Sequence, residues 1–394
     1  MSQGRVLIVV ENLPVPFDRR VWLEATTLAQ AGYKVSVICP TGKNFDRRFE
    51  MIDDIAIYRH PLPLEASGAF GYLLEYGAAL FWQSTLALRV AFTRGFDVLH
   101  ACNPPDLIFL VALPFKLFGK RFLFDQHDLC PEVYEAKFRK QGPFYRLLRM
   151  FERATYATAD TVIATNESYR HMAITRGGKD PSRVFVVRSG PDLRKWPSST
   201  EPAPQWRNGR RHMIGYVGVM GEQEGLDLLL QAMKLLVTDL GEPDIQLVLV
   251  GDGSHRATLE QLSNELGLEG HVTFTGRVSD QELISALGEA DVCVNPDRWS
   301  TLNDKSTMNK IIEYMAMGKP IVQFDLTEGK VSAGDASLYA RPDDVQDMAE
   351  KILFLLRDPQ LRADMGAKGR QRVKDTLAWE HQVPILLSAY ASLF

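Results

Sequence analysis

Short apolar runs alternate with longer amphipathic stretches along almost the whole chain, and the alternation restarts once. RVLIVV (5–10), KVSVICP (34–40), DVLHAC (97–102), FLFDQHD (122–128), TVIATN (161–166) and VFVVRSG (184–190) read as strands closed by polar residues. Between the first two, Val21, Ala25 and Leu28 share one face of a helix from about 21 to 30, stopped by Gly32. Repeats of strand, helix and strand demand a parallel sheet, because each parallel return needs a crossover that covers a sheet face. WPSSTEPAPQWRNGRR (196–211) interrupts the series with Pro, Ser and charge, the composition of a linker. A second array follows: MIGYVG (213–218), QLVLVGDG (246–253), VTFTG (272–276), DVCVNPD (291–297) and PIVQFD (320–325).

Two α/β halves are thus expected, each a Rossmann-like parallel sheet, with a cleft between their strand C-terminal ends. The boundaries read as 1–195 and 196–375, followed by an amphipathic terminal helix over 376–394. A length of 394 residues accommodates two such domains. With 45% apolar and 24% charged residues the composition is that of a soluble globular protein, and a net charge of −4 speaks against a general nucleic-acid binder. Cys39, Cys102, Cys130 and Cys293 form no CxxC pair, which suits a reducing compartment and offers no zinc site. RVLIVV is too short for a signal-peptide core, and the apolar stretch 76–88 too short to span a bilayer, so a cytoplasmic protein is expected.

NDKSTMNKIIEYMAMGKP (303–320) reads as a loop feeding a helix whose first turn carries Glu313. A helix start holds phosphate on its unpaired N–H groups and dipole. A carboxylate nearby accepts hydrogen bonds from ribose hydroxyls, and Lys310 lies on the same face at i,i+3. The pattern fits a nucleotide site, and equally a solvated Lys310–Glu313 ion pair. Gly215, Gly218 and Gly221 mark the first strand-to-helix turn of the second half, where glycine lets backbone approach a phosphate. An NAD site would need an acid about 20 residues on, at the end of the next strand; that strand ends much later, at Gly251-Asp252-Gly253, which disfavours a dehydrogenase.

IIEYMAMGKPIV resembles the matching segment of family 4 glycosyltransferases, which have the GT-B fold, and the loop Asp304, Ser306, Asn309, Lys310, Glu313 resembles a branch serving bacterial polysaccharide assembly. The resemblance implies a retaining transfer from a nucleotide-sugar donor to a saccharide or lipid-linked acceptor, with no metal or other cofactor. It makes Glu313 the ribose acid, with Ser306 and Asn309 at the phosphates. The family's first acid falls at Lys305, and the Arg and Lys that clamp the diphosphate fall at Val219 and Glu224. Lys305 and Lys310 are then the replacement cations. Gly218, Gly221, Gly251 and Gly253 would border the donor, as would Arg277 and Val278 near the base. His127 would contact the donor sugar, with Asp128 beside it, and the terminal helix would return to the first domain. A sugar-nucleotide epimerase and a non-catalytic partner subunit are the alternatives of the same fold.

Two further features concern the acceptor side. Asp18 is placed to N-cap the first helix, which puts Arg19 and Arg20 in a first turn whose dipole opposes them. Either they are solvated or they await an anionic ligand. KFRKQGPFYRLLRMFERA (137–154) interleaves basic and aromatic residues, as a packed helix with a basic face or as a contact for an anionic membrane surface.

Overall fold

Each half of the chain winds its own sheet. The computed structural model describes residues 4–61, 68–197 and 200–394, and the side chains of all of these except 68–76. The first sheet contains β1 (Arg5–Val9), β2 (Lys34–Pro40), β3 (Phe49–Ile52), β4 (Ile55–His60), β5 (Val98–Cys102), β6 (Arg121–Gln126), β7 (Thr161–Ala164) and β8 (Val184–Val186). Its order is β3-β4-β2-β1-β5-β6-β7-β8. Pairing is parallel throughout except for the β3–β4 hairpin at the edge. The second sheet contains β9 (His212–Val217), β10 (Ile245–Val250), β11 (Val272–Gly276), β12 (Val292–Asn295), β13 (Ile321–Phe324) and β14 (Ser337–Ala340). It is all-parallel in the order β11-β10-β9-β12-β13-β14. GT-B architecture, two parallel-sheet α/β domains, is therefore what the sequence folds into.

Strand residues alternate between two apolar layers, as a doubly covered sheet requires. In the second sheet Ile214, Tyr216, Leu247, Leu249, Val292 and Val294 pack with the helices Leu226–Thr238 and Val345–Arg357. Met213, Val248, Cys293 and Ile321 pack on the other face with the helix Asn309–Ala316.

One compact unit comprises 1–188 with 383–394, and the other 189–382. The last stretch joins the first unit through polar contacts: Tyr390 Oη lies 2.8 Å from His100 Nδ1, and Ser392 Oγ 2.8 Å from Thr161 Oγ1. No helix among the described residues is long and apolar enough to cross a membrane. The basic stretch 137–154 is not one helix. The helix Cys130–Phe138 stops at Arg139, whose φ is 51°, and a new helix runs over Pro143–Thr158.

Candidate active site

In an open parallel sheet, ligands bind beyond the strand C-termini where the strand order reverses. In the second sheet that point lies between β9 and β12, and three loops are knitted together beside it. Gly218 N donates to Val250 O at 3.0 Å, Met220 N to Asp252 O at 3.1 Å, and Gly251 N to Gly276 O at 3.0 Å. Glycine is required for this approach. A Cβ on Gly251, where φ is 138°, would lie 1.9 Å from Gly218 O, and one on Gly253 would lie 2.5 Å from Met220 O. A Cβ on Gly221 would first meet the flexible Gln223 side chain.

Lys310 rises into the same place from the helix Asn309–Ala316. Its Nζ donates to Glu224 at 2.6 Å, in the loop after β9, and to Asp297 at 2.8 Å, in the loop after β12. The ammonium also lies 5.0 Å from the Tyr216 ring centroid. Burial alone would lower the Lys310 pKa; Asp297 and Glu224 outweigh it and hold the pKa above its usual value. Burial pushes Asp297 up to about 7, against the pull of Lys310 and with Glu224 adding to the rise. Asn303 clips the loops together, its Nδ2 donating to Gln223 O at 3.0 Å and Arg298 O at 2.9 Å.

The expected site loop departs from the sequence reading in three ways. A short helix, Thr301–Lys305, precedes the main one, capped by Ser300, so Lys305 ends a helical turn. Asn309 opens the next helix behind Met308, which makes no side-chain cap, and Ser306 Oγ donates back to Leu302 O. Glu313 is the fifth residue of that helix and belongs to its second turn, because the helix starts only at Asn309. Glu313 is half-buried, Arg277 is exposed, and Val278 packs at the edge of the core.

The first unit gathers a separate buried cluster from β5, β6 and the helix Arg19–Gln30. Asp18 caps this helix as expected, accepting from Val21 N at 3.0 Å. Arg19 is exposed. Arg20 points inward: its guanidinium lies 2.9 Å from Asp125 Oδ1 and 3.1 Å from Glu24 Oε1, and donates to Val187 O at 2.9 Å. Its charge is met inside the fold by Asp125, with Glu24 beside it. Burial would raise the pKa of Asp125, but Arg20 and His127 overcome it and hold the group well below the carboxylate range. Glu24 goes the other way, its pKa raised by burial and then by Asp125. Glu24, His100, Cys102 and Asp125 bring ligand atoms within 4.8 Å of one another. That spacing admits a metal, yet Arg20 already supplies the positive charge that the two acids require.

His127 sits at the rim of this cluster, its Nε2 2.5 Å from Asp125 Oδ2. Arg20 Nε lies 3.1 Å from the same nitrogen. Arg20 Nε also lies 3.3 Å from Asp125 Oδ2, so the three side chains share one corner of the cluster. Asn103 Oδ1 fixes the backbone by accepting from His127 N at 2.7 Å and Asp128 N at 3.1 Å. Asn103 Nδ2 in turn donates to Asp106 at 2.8 Å. Asn103 and Asp106 were not singled out in the sequence; the signal available was the Asn-Pro-Pro-Asp run directly after β5. Glu132, in the helix that follows β6, is bound by Arg176 at 3.1 Å.

Residues 18–195 match the sequence family described as Glycosyltransferase Family 4, and residues 211–358 that of Glycosyl transferases group 1. Over 381 residues the chain is 33% identical to phosphatidyl-myo-inositol mannosyltransferase of Mycolicibacterium smegmatis, covering 95% of this chain and 89% of that one. The chain belongs to glycosyltransferase family 4. This family 4 chain is also 28% identical over 204 residues to a GDP-mannose-dependent monoacylated alpha-(1-6)-phosphatidylinositol monomannoside mannosyltransferase of Corynebacterium glutamicum. That match covers 49% of this chain and spans about half, 52%, of the relative. Its fold is similar to sucrose-phosphate synthase of Thermosynechococcus elongatus, with a TM-score of 0.81 at 20% identity over 100% of this chain and 99% of that one.

Proposed function

We propose that this protein moves a sugar from a nucleoside diphosphate sugar to a hydroxyl of a saccharide or lipid-linked saccharide, with retention, in the assembly of a surface or extracellular polysaccharide. The observation that carries the reading is the placement of Lys310 beside the glycine-knit loops at the switch point of the second sheet. There a diphosphate meets a cation, closely approaching backbone and the start of the helix Asn309–Ala316. Glu313, one turn further, accepts the ribose hydroxyls. Arg277 and Val278 border the base, and Lys305, Ser306 and Asn309 approach the phosphates. His127, held by Asp125, contacts the donor sugar. The leaving diphosphate is met by the protein's own cations, and no step calls for a metal. The names of the two mannosyltransferases support a sugar nucleotide such as GDP-mannose and an acceptor with a lipid anchor.

A lipid-anchored acceptor calls for a membrane contact. The helix Pro143–Thr158 turns Arg146, Arg149 and Arg153 to solvent together with Phe144, Leu147 and Met150. Beside it, the helices Gly68–Thr93 and Phe109–Lys116 lead to exposed Phe92, Leu117 and Phe118. Exposed basic and apolar groups in one unit suit the inner surface of an anionic membrane.

Melting temperatures of the full chain with UDP, GDP, ADP and dTDP test the donor site, because a ligand bound only by the folded state raises stability. Incubation with the matching sugar nucleotide, with the anomeric configuration of the product read by NMR, tests transfer and retention. A second reading, a non-catalytic partner subunit, is favoured by one observation: Glu224 neutralises Lys310 where the family has a cation. Donor turnover by the purified protein excludes it.

A further inference from the structure

Lys310 has three N–H groups, and the protein's own side chains already engage them. Two are directed at Glu224 and Asp297, and the ammonium rests over the Tyr216 ring. A phosphate oxygen therefore reaches Lys310 only by replacing one of its carboxylates. The two differ in how readily they give way. The Asp297 side chain is 1% exposed and the Glu224 side chain 16%. Asp297 is walled in by β12 and the loop after it. Glu224 closes a single 3-10 turn, Glu222–Glu224. Its carboxylate also meets Tyr216 Oη at 3.3 Å, the Gln223 amide at 3.5 Å and the Asp297 carboxyl, a like-charged neighbour that favours its departure. Its backbone is held in place. Gly225 has φ of 63°, and a Cβ there would lie 2.0 Å from Pro296 O. Rotation of the Glu224 side chain is thus the least costly way to open Lys310.

We propose that Glu224 is a specificity-determining residue that stands in for a phosphate oxygen on Lys310, so that a chelating diphosphate displaces it and a single phosphate does not. The inference rests on the donor-site reading above. Any anion entering here is repelled by Glu224 until the side chain turns away. A lone phosphate gains one cation for that cost. A diphosphate gains Lys310 and, through its second phosphate, the backbone N–H groups of the adjacent loops and helix start. Rejecting the smaller anion by a built-in repulsive element is a common route to specificity. It also explains how an acid occupies a position where a cation is expected: the positive charge has moved to Lys310, and Glu224 shields it from orthophosphate.

The test is calorimetric titration of the full chain and of Glu224→Gln and Glu224→Ala with UDP and with GDP, each repeated in millimolar sodium phosphate. Uridine and guanosine serve as controls without phosphates. Both variants alter a rim side chain, and retained melting temperatures confirm the fold. The expected result is roughly tenfold tighter binding of the nucleoside diphosphate by the variants, the scale of one hydrogen bond to a charged group. Nucleoside binding stays unchanged, and orthophosphate competes in the variants but not in the parent. Equal or weaker diphosphate binding by both variants overturns the gate and makes Glu224 a prop for Lys310. If neither the parent nor the variants bind UDP or GDP, the donor-site reading itself fails and the gate fails with it.

Discussion

His127 Nε2 lies 2.5 Å from Asp125 Oδ2, and the same carboxylate is gripped by Arg20. The pair is built from opposite needs. Arg20 holds the Asp125 carboxyl well below the usual carboxylate range in a fully buried setting, and Asp125 then fixes the ring of His127.

His127→Ala is expected to lower kcat and kcat/KM together by about 100-fold or more, the range for a positioned histidine acting in the transition state. Nucleoside diphosphate affinity should stay at the parent value, since His127 belongs to the first unit and the glycine-knit loops to the second. Steady-state kinetics beside calorimetry give the split, and normal turnover would return His127 to a structural role.

Asp125→Asn removes the charge that answers Arg20 while keeping the shape. Breaking one side of a buried ion pair costs about 3–5 kcal/mol. The variant should melt well below the parent, and Arg20→Met with Asp125→Asn should recover part of the loss. A lone Asp125→Asn with parental stability would show that water reaches Arg20 and screens it.

Glu313→Ala should weaken nucleoside diphosphate binding by about 1.5–3 kcal/mol, the value of a hydrogen bond to a charged group. Its position one turn beyond Lys310 on the same helix motivates this. Calorimetry decides it, and unchanged affinity in a folded variant removes Glu313 from the ribose site.

Buried carboxyls give the fold a pH dependence. Burial, with Glu152 adding, pushes Asp106 up to about 8, and burial pushes Glu152 up to about 7. An acid whose folded pKa is raised binds more protons folded than unfolded between the two pKa values, so stability falls as pH rises through that window. The melting temperature is therefore expected to drop from pH 5 to pH 8, by about 1.4 kcal/mol of stability per pH unit for each such group. Asp106→Asn mimics the neutral acid and should flatten the slope. A parental slope in that variant would place the proton elsewhere.

Local chemistry was legible in the sequence, and long-range pairing was not. The strands announce themselves as apolar runs, and Asp18 as a cap, because both depend on residues a few positions apart. Lys310 was visible as a cation in a loop whose pattern suggests phosphate binding. Its partners were not, since Glu224 lies 86 positions away and Asp297 13. The one available clue was compensatory: an acid stands where the family has a cation, and a lysine appears on the facing helix. Arg20 misled for the same reason. Its unfavourable place in a first turn pointed to an external anion, while the answering charge was Asp125, 105 residues on. The break at Arg139 was hidden because arginine seldom adopts a positive φ and Gly142 drew no attention.

The exposed basic and apolar residues of the first unit make the last prediction. The break at Arg139 leaves Arg139 and Lys140 exposed at a corner, followed by Arg146 and Arg149 on the outer side of the helix Pro143–Thr158. Glu152, Thr155 and Tyr156 anchor the inner side of that helix; Arg149 lies 3.9 Å from Glu152, so the melting temperature of the charge variant is checked beside its binding. Neutralising Arg139, Lys140, Arg146 and Arg149 together should weaken binding to anionic vesicles by about 1 kcal/mol for each residue that reaches the surface. The remaining affinity should reside in apolar insertion, and Leu117→Ser with Phe118→Ser should remove it without salt dependence. The charge variant should lose its salt sensitivity, because screening acts only on the electrostatic part. Co-sedimentation with phosphatidylglycerol vesicles at low and high salt separates the two contributions. Transfer to a short soluble acceptor should survive in both variants, as these exposed side chains lie outside the Lys310 and His127 clusters. Parent protein that stays in the supernatant at low salt would show that these residues do not dock on lipid and that the acceptor arrives without them.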